Sequence, residues 1–83
     1  MAIKKYRVPR TRDLGFGWKV YIKQVGPDIF KAFNCPGLPG IWMVDDKTIY
    51  IDKRISYQKK IEVYFHELIH AVADFEVRAR GGI

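Results

Sequence analysis

The chain has 83 residues, 48% of them hydrophobic and 29% charged, a globular composition that makes one thin-cored domain and excludes a multi-lobed enzyme. No apolar run approaches a membrane span, and residues 1 to 5 open no apolar leader, so a cytoplasmic protein with no membrane partner is expected. The net charge of +6 is carried by residues 1 to 25, where Lys4, Lys5, Arg7, Arg10, Arg12, Lys19 and Lys23 are offset only by Asp13; the rest of the chain balances. Cys35 is the single cysteine and cannot form an internal disulfide, so a domain this small gains from a bound metal or a partner chain.

Taken in chain order, residues 4 to 8 alternate loosely and stop at Pro9, and residues 16 to 25 are rich in aromatic and β-branched side chains. The two read as a hairpin joined through residues 10 to 15. Gly26-Pro27-Asp28 opens a short helix over residues 29 to 33, because proline in the first turn fixes φ where no donor is needed. Residues 34 to 40 form a loop. Residues 41 to 44 and 48 to 51 are short apolar runs around Asp45-Asp46-Lys47, a second hairpin. From Ser56, an N-cap, the period becomes helical and predicts one helix over 56 to 78, with Gly81-Gly82 as its latest stop. Ile61, Phe65, Leu68, Val72 and Phe75, flanked by Tyr64 and Ile69, form its expected core stripe. The fold class is α+β, one domain over residues 1 to 83, with about four mostly antiparallel strands covering one face of the long C-terminal helix.

That helix carries His66-Glu67-Leu68-Ile69-His70, and these are the only two histidines of the chain. The i, i+4 spacing sets both imidazoles on one face, one turn apart, where they can share a metal ion. Both lie about 140° to 180° from the centre of the apolar stripe, so they are not core histidines. Glu67 lies about 60° round from His70, able to reach a water on the metal without ligating it. A Lewis-acid metal that acidifies water beside a carboxylate that takes its proton is the machinery of hydrolysis. In this composition a chance match to the pattern is roughly a one-in-600 event.

The stretch from Phe65 to Phe75 resembles the active-site helix of zincin-type zinc metallopeptidases and is similar to its thermolysin-type form. With the lead-in of residues 40 to 44 and 48 to 52, it also resembles the small ImmA/IrrE-like and SprT-like metallopeptidase domains, often encoded by phages and mobile elements. The resemblance covers about residues 38 to 76. It implies that His66 and His70 ligate Zn2+, that Glu67 is the general base and acid, and that one strand of the 41 to 51 hairpin binds an extended protein or peptide substrate. Catalytic zinc normally has three protein ligands, and in the gluzincins and the ImmA/IrrE-like proteins the third is an acidic residue on a later helix, whereas 13 residues follow His70 here.

Asp74, at i+8 from His66 and separated from it by about 12 Å of helical rise, reads better as a group orienting His70 than as a ligand. Glu76 follows His70 at the metzincin interval, but Ala73 stands where a glycine is needed, and Glu76 points away on a straight helix. Asp45, Asp46, Asp52, Cys35, the terminal carboxylate and a residue of a second chain in a homo-oligomer remain candidates. Tyr50, Tyr57 and Tyr64 are candidate oxyanion donors, with packing the more frequent role. The competing function is a basic regulatory or nucleic-acid-binding module, using residues 4 to 23 and in particular Arg7, Arg10 and Arg12, with a structural or vestigial metal site.

Overall fold

The computed structural model describes residues 7–80. Its elements in chain order are β1 (Thr11–Gly15), β2 (Trp18–Val25), α1 (Pro27–Ala32), β3 (Gly40–Met43), β4 (Thr48–Asp52) and α2 (Tyr57–Ala79). The fold is α+β, a four-stranded sheet of order β1-β2-β4-β3 with α2 packed across it. Pairs β1–β2 and β3–β4 are antiparallel, while β2 and β4 run parallel, so β1 and β3 are the edge strands. No helix among the described residues is long and apolar enough to cross a membrane.

The first hairpin differs from the expected one. Its outer strand is Thr11–Gly15, the stretch expected to be the connection, while Arg7 and Val8 lie outside any strand and residues 4 to 6 lie outside the described residues. The turn is Phe16-Gly17, both with positive φ (54° and 78°), between the paired Gly15 and Trp18. A two-residue loop with two positive φ values matches the right-handed twist of its strands. The Gly-Phe-Gly triplet therefore marks the reversal, and Phe16 is its fully exposed tip rather than the start of a strand.

Elsewhere the local signals place the elements to within a residue or two. α1 ends in a left-handed Asn34 (φ 61°), with the Asn34 amide donating to the Lys31 carbonyl and the Cys35 amide to the Phe30 carbonyl, both at 2.9 Å. That pair of bonds satisfies carbonyls a helix end leaves unpaired. Ser56 caps α2 by accepting from the Lys59 amide at 3.1 Å.

The core joins Val20, Ile22, Ile49 and Ile51 from the sheet to Val63, Tyr64, Leu68 and Ala71 of α2. The helix is therefore rolled by about 60° from the orientation its hydrophobicity predicts: Val63 and Ala71 are buried, whereas Phe65 and Ile69 are 46% and 69% exposed. The cause lies at Gly40, which is buried on β3. A Cβ there would fall 2.3 Å from Val63 Cγ1 and 3.1 Å from the Tyr50 carbonyl oxygen. The missing side chain lets α2 lie directly on the edge-strand backbone, with small or slender residues in the seam. Trp42, two residues on, ties the same pair of elements by donating its indole N–H to Asp74 at 2.5 Å.

Asp52, at the end of β4, accepts from the Arg54 amide (2.9 Å) and from its guanidinium (3.0 and 3.2 Å). These hydrogen bonds hold its carboxyl below the usual carboxylate range, outweighing the opposing effect of burial. Because the folded-state pKa is depressed, the stabilisation is complete above the unfolded value of 3.8 and is lost as pH falls through the folded value. Stability measured by chemical denaturation is expected to fall below about pH 4, with a shallower acid limb in Asp52→Asn. At the seam, Gly40→Ala is expected to cost about 1–3 kcal/mol in urea unfolding. Adding Val63→Ala, which removes the clashing methyl, should make the double variant's loss smaller than the sum of the single losses.

Candidate metal centre

α2 sets Glu67 on the flank that meets β3 and carries His66 and His70 on its outer flank, where His66 reaches the cleft. His66 and His70 are exposed, with ring centroids 5.1 Å apart and planes at 76°. A tetrahedral ion bonded to one nitrogen of each ring at 2.0–2.1 Å sets the centroids about 5 Å apart, which is close to the spacing of this pair. Glu67 is half-buried, and its Cγ lies 3.7 Å from where a Gly40 Cβ would stand. It is thus wedged between the helix and the edge strand while the imidazoles stand outside.

A cleft of about 540 Å³ opens at this seam, lined by Lys59, Glu62, Val63, His66 and Glu67 from the helix and by residues 38 to 41 opposite. Gly40 and Ile41 belong to β3, whose outer side carries no neighbouring strand among the described residues. The site therefore sets a candidate base, a candidate ligand and an unpaired strand edge around one cavity. An extended peptide can add to such an edge by backbone hydrogen bonds.

Other expected site residues lie elsewhere. Asp74 receives the Trp42 indole N–H rather than a histidine, so its visible role is to tie α2 to β3. Glu76 sits on an unbroken helix, 3.8 Å from Arg80, and borders the apolar face of Phe65, Leu68, Ile69, Val72 and Ala73. Asp46 accepts from Tyr50 at 3.2 Å, which together with burial raises the phenol's pKa. Ile49 and Ile51 face α2, so Tyr50 between them points to the opposite side of the sheet, where Phe33 meets it edge-on. Tyr64 is fully buried. Asp52 is engaged by Arg54, and Cys35 closes α1 as a free thiol. Among the described residues no three His, Cys, Asp or Glu side chains gather as a metal-holding group.

The histidine spacing picks out His66 and His70 as candidate ligands, whereas the place of Gly40 and Glu62 at the cleft is visible only in the fold. Glu62 precedes His66 by one turn and lines the cleft, where Lys59 stands 3.8 Å from its carboxylate. A comparison with family models, curated proteins and solved structures finds no match to this chain. The site must therefore be judged on its own geometry. His66→Ala and His70→Ala should each weaken zinc binding, measured by competition with a chromophoric chelator. The expected loss exceeds the roughly 10- to 100-fold that partners outside the ligand set contribute.

Proposed function

We propose that this chain is a zinc-dependent metallopeptidase that cleaves peptide bonds in an extended protein or peptide substrate. The observation that carries the reading is the cleft itself, where His66 and Glu67 face an edge strand across the Gly40 seam. Hydrolysis of a peptide bond needs a carbonyl held in place, a water made nucleophilic and a proton delivered to the leaving amine. β3 supplies the first through its unpaired backbone edge. Zinc on His66 and His70, when bound, supplies a Lewis acid that polarises the carbonyl and acidifies water.

Glu67 moves the proton: its carboxylate takes one from the attacking water and returns it to the amine nitrogen as the C–N bond breaks. Its half-buried place against Gly40 limits its rotamers and holds it in the cleft that His66 also lines. Lys59 and Glu62 at the cleft's other end are available for polar groups further along the substrate. The ligand set is completed by water and by a donor from outside the described residues or from a second copy. Cys35, a free thiol, suits the reducing cytoplasm, which is where we place the activity.

The test is Glu67→Gln in the zinc-loaded protein, assayed on an unstructured protein substrate and a fluorogenic peptide pool. Glutamine keeps the shape and loses the base, so cleavage should fall roughly 100-fold or more while zinc content stays unchanged. An unchanged cleavage rate would overturn the mechanism.

A further inference from the structure

A second cavity lies at the N-terminal end of α2, away from the histidines. It is an open groove of about 1030 Å³ lined by residues 7 to 11, by Tyr21 to Val25 of β2 and by Tyr57 and Lys60 of α2. Four of its residues are cations, Arg7, Arg10, Lys23 and Lys60, and no described lining residue is acidic. None of the four forms an ion pair among the described residues, whose salt bridges use Arg54, Lys59 and Arg80.

The placement of these cations is electrostatically costly. The start of a helix carries about half a positive charge, and acidic side chains normally occupy its first turn. α2 has none there, and its first turn contains Lys59 and Lys60 instead. The start of the 23-residue α2 thus adds its positive end to a groove lined by four cationic residues. Of these, Lys60 is near enough to Asp52 to help lower that carboxyl's pKa, and Lys23 comes from the sheet face opposite the helix. An anion in the groove relieves this repulsion, and several anions spaced along it relieve it further.

The aromatic residues narrow the class of anion. Tyr21 and Tyr57 are 44% and 40% exposed on the groove's walls. The tryptophans do not serve here. Trp18 is half-buried against Phe75 with Lys47 over its ring, and Trp42 is tied to Asp74. A cationic groove beside exposed aromatic rings is the arrangement that holds single-stranded nucleic acid, phosphates on the cations and bases on the rings. An acidic polypeptide satisfies the charge but has no use for the rings.

The geometry points to a single-stranded nucleic-acid site formed by Arg7, Arg10, Lys23 and Lys60, with Tyr21 as a stacking surface. It is separate from the proposed peptidase site and stands whether or not that reading does. Arg12, also in the basic N-terminal segment, does not line the groove and takes no part.

The experiment is fluorescence anisotropy of the full chain with labelled oligothymidylate and oligouridylate across a salt series, with polyglutamate as competitor. Neutralising up to four phosphates predicts a log–log salt slope of about −2 to −3, reduced by about 0.7 in each of Lys23→Gln and Lys60→Gln. Tyr21→Ala should weaken binding roughly tenfold, Tyr21→Phe should retain it, and Arg12→Gln should leave it unchanged. Circular dichroism and a cooperative thermal transition verify that each variant is folded. The proposal is overturned by three results in the folded protein: no oligonucleotide binding at low salt, Arg12→Gln acting as strongly as Lys23→Gln, or polyglutamate competing equally with Tyr21→Ala silent. The last would assign the groove to an acidic polypeptide.

Discussion

The contact on which the rest of the molecule depends is the approach of α2 to β3 at Gly40. With no Cβ at that position the helix rests on the strand backbone, and Val63 occupies the space a side chain would need. The consequences propagate along the helix because its residues turn together. Once Val63 is turned inward, Ala71 follows two turns later, Tyr64 and Leu68 fill the centre over Ile49 and Ile51, and Glu67 is drawn into the seam. A larger residue at position 40 would push the helix outward and take the carboxylate away from the strand edge. The packing choice that closes the core is also the one that assembles the candidate site.

The helix then divides into faces with different tasks. The buried face holds the sheet, the flank facing β3 carries Glu67 and Asp74, and the outer flank carries the imidazoles. This leaves Phe65 nearly half exposed and Ile69 and Val77 more than half exposed on the remaining side. An apolar strip of this kind is the cost of rolling the helix toward Gly40, since the most hydrophobic arc is no longer the buried one. Glu76 and Arg80 pair beside it at the C-terminal end, where Arg78 and Arg80 suit the negative pole of the helix. At the other end the charges are arranged against the helix dipole, and the basic groove lies there.

Local chemistry explains most element boundaries. Ser56 starts α2, Pro27 starts α1, Asn34 ends it, and Asp45-Asp46-Lys47 reverses the second hairpin through a left-handed Lys47. Each of these acts within a few residues, which is why each was legible. The first hairpin departs from the sequence expectation because the glycines on either side of Phe16 set the reversal, although the aromatic and β-branched content around them resembles an uninterrupted strand. Charge and polarity in Thr11-Arg12-Asp13 look like a loop, yet an edge strand with one exposed face accommodates them.

By itself the sequence determined the α+β class, the long terminal helix with its cap, the placement of His66 and His70 one turn apart, and the positive charge of the first 25 residues. All of these follow from spacing or composition, and none depends on what the chain packs against. Only the tertiary structure decided which arc of α2 is buried, that β2 lies parallel beside β4, that Glu67 faces an edge strand, and that Arg7 and Arg10 join Lys60 rather than Arg12. Those outcomes rest on contacts between residues far apart in the chain. Parallel pairing needs a crossover that leaves no local mark, and the roll of a helix is settled by the shape of the surface beneath it, here the space left by one glycine.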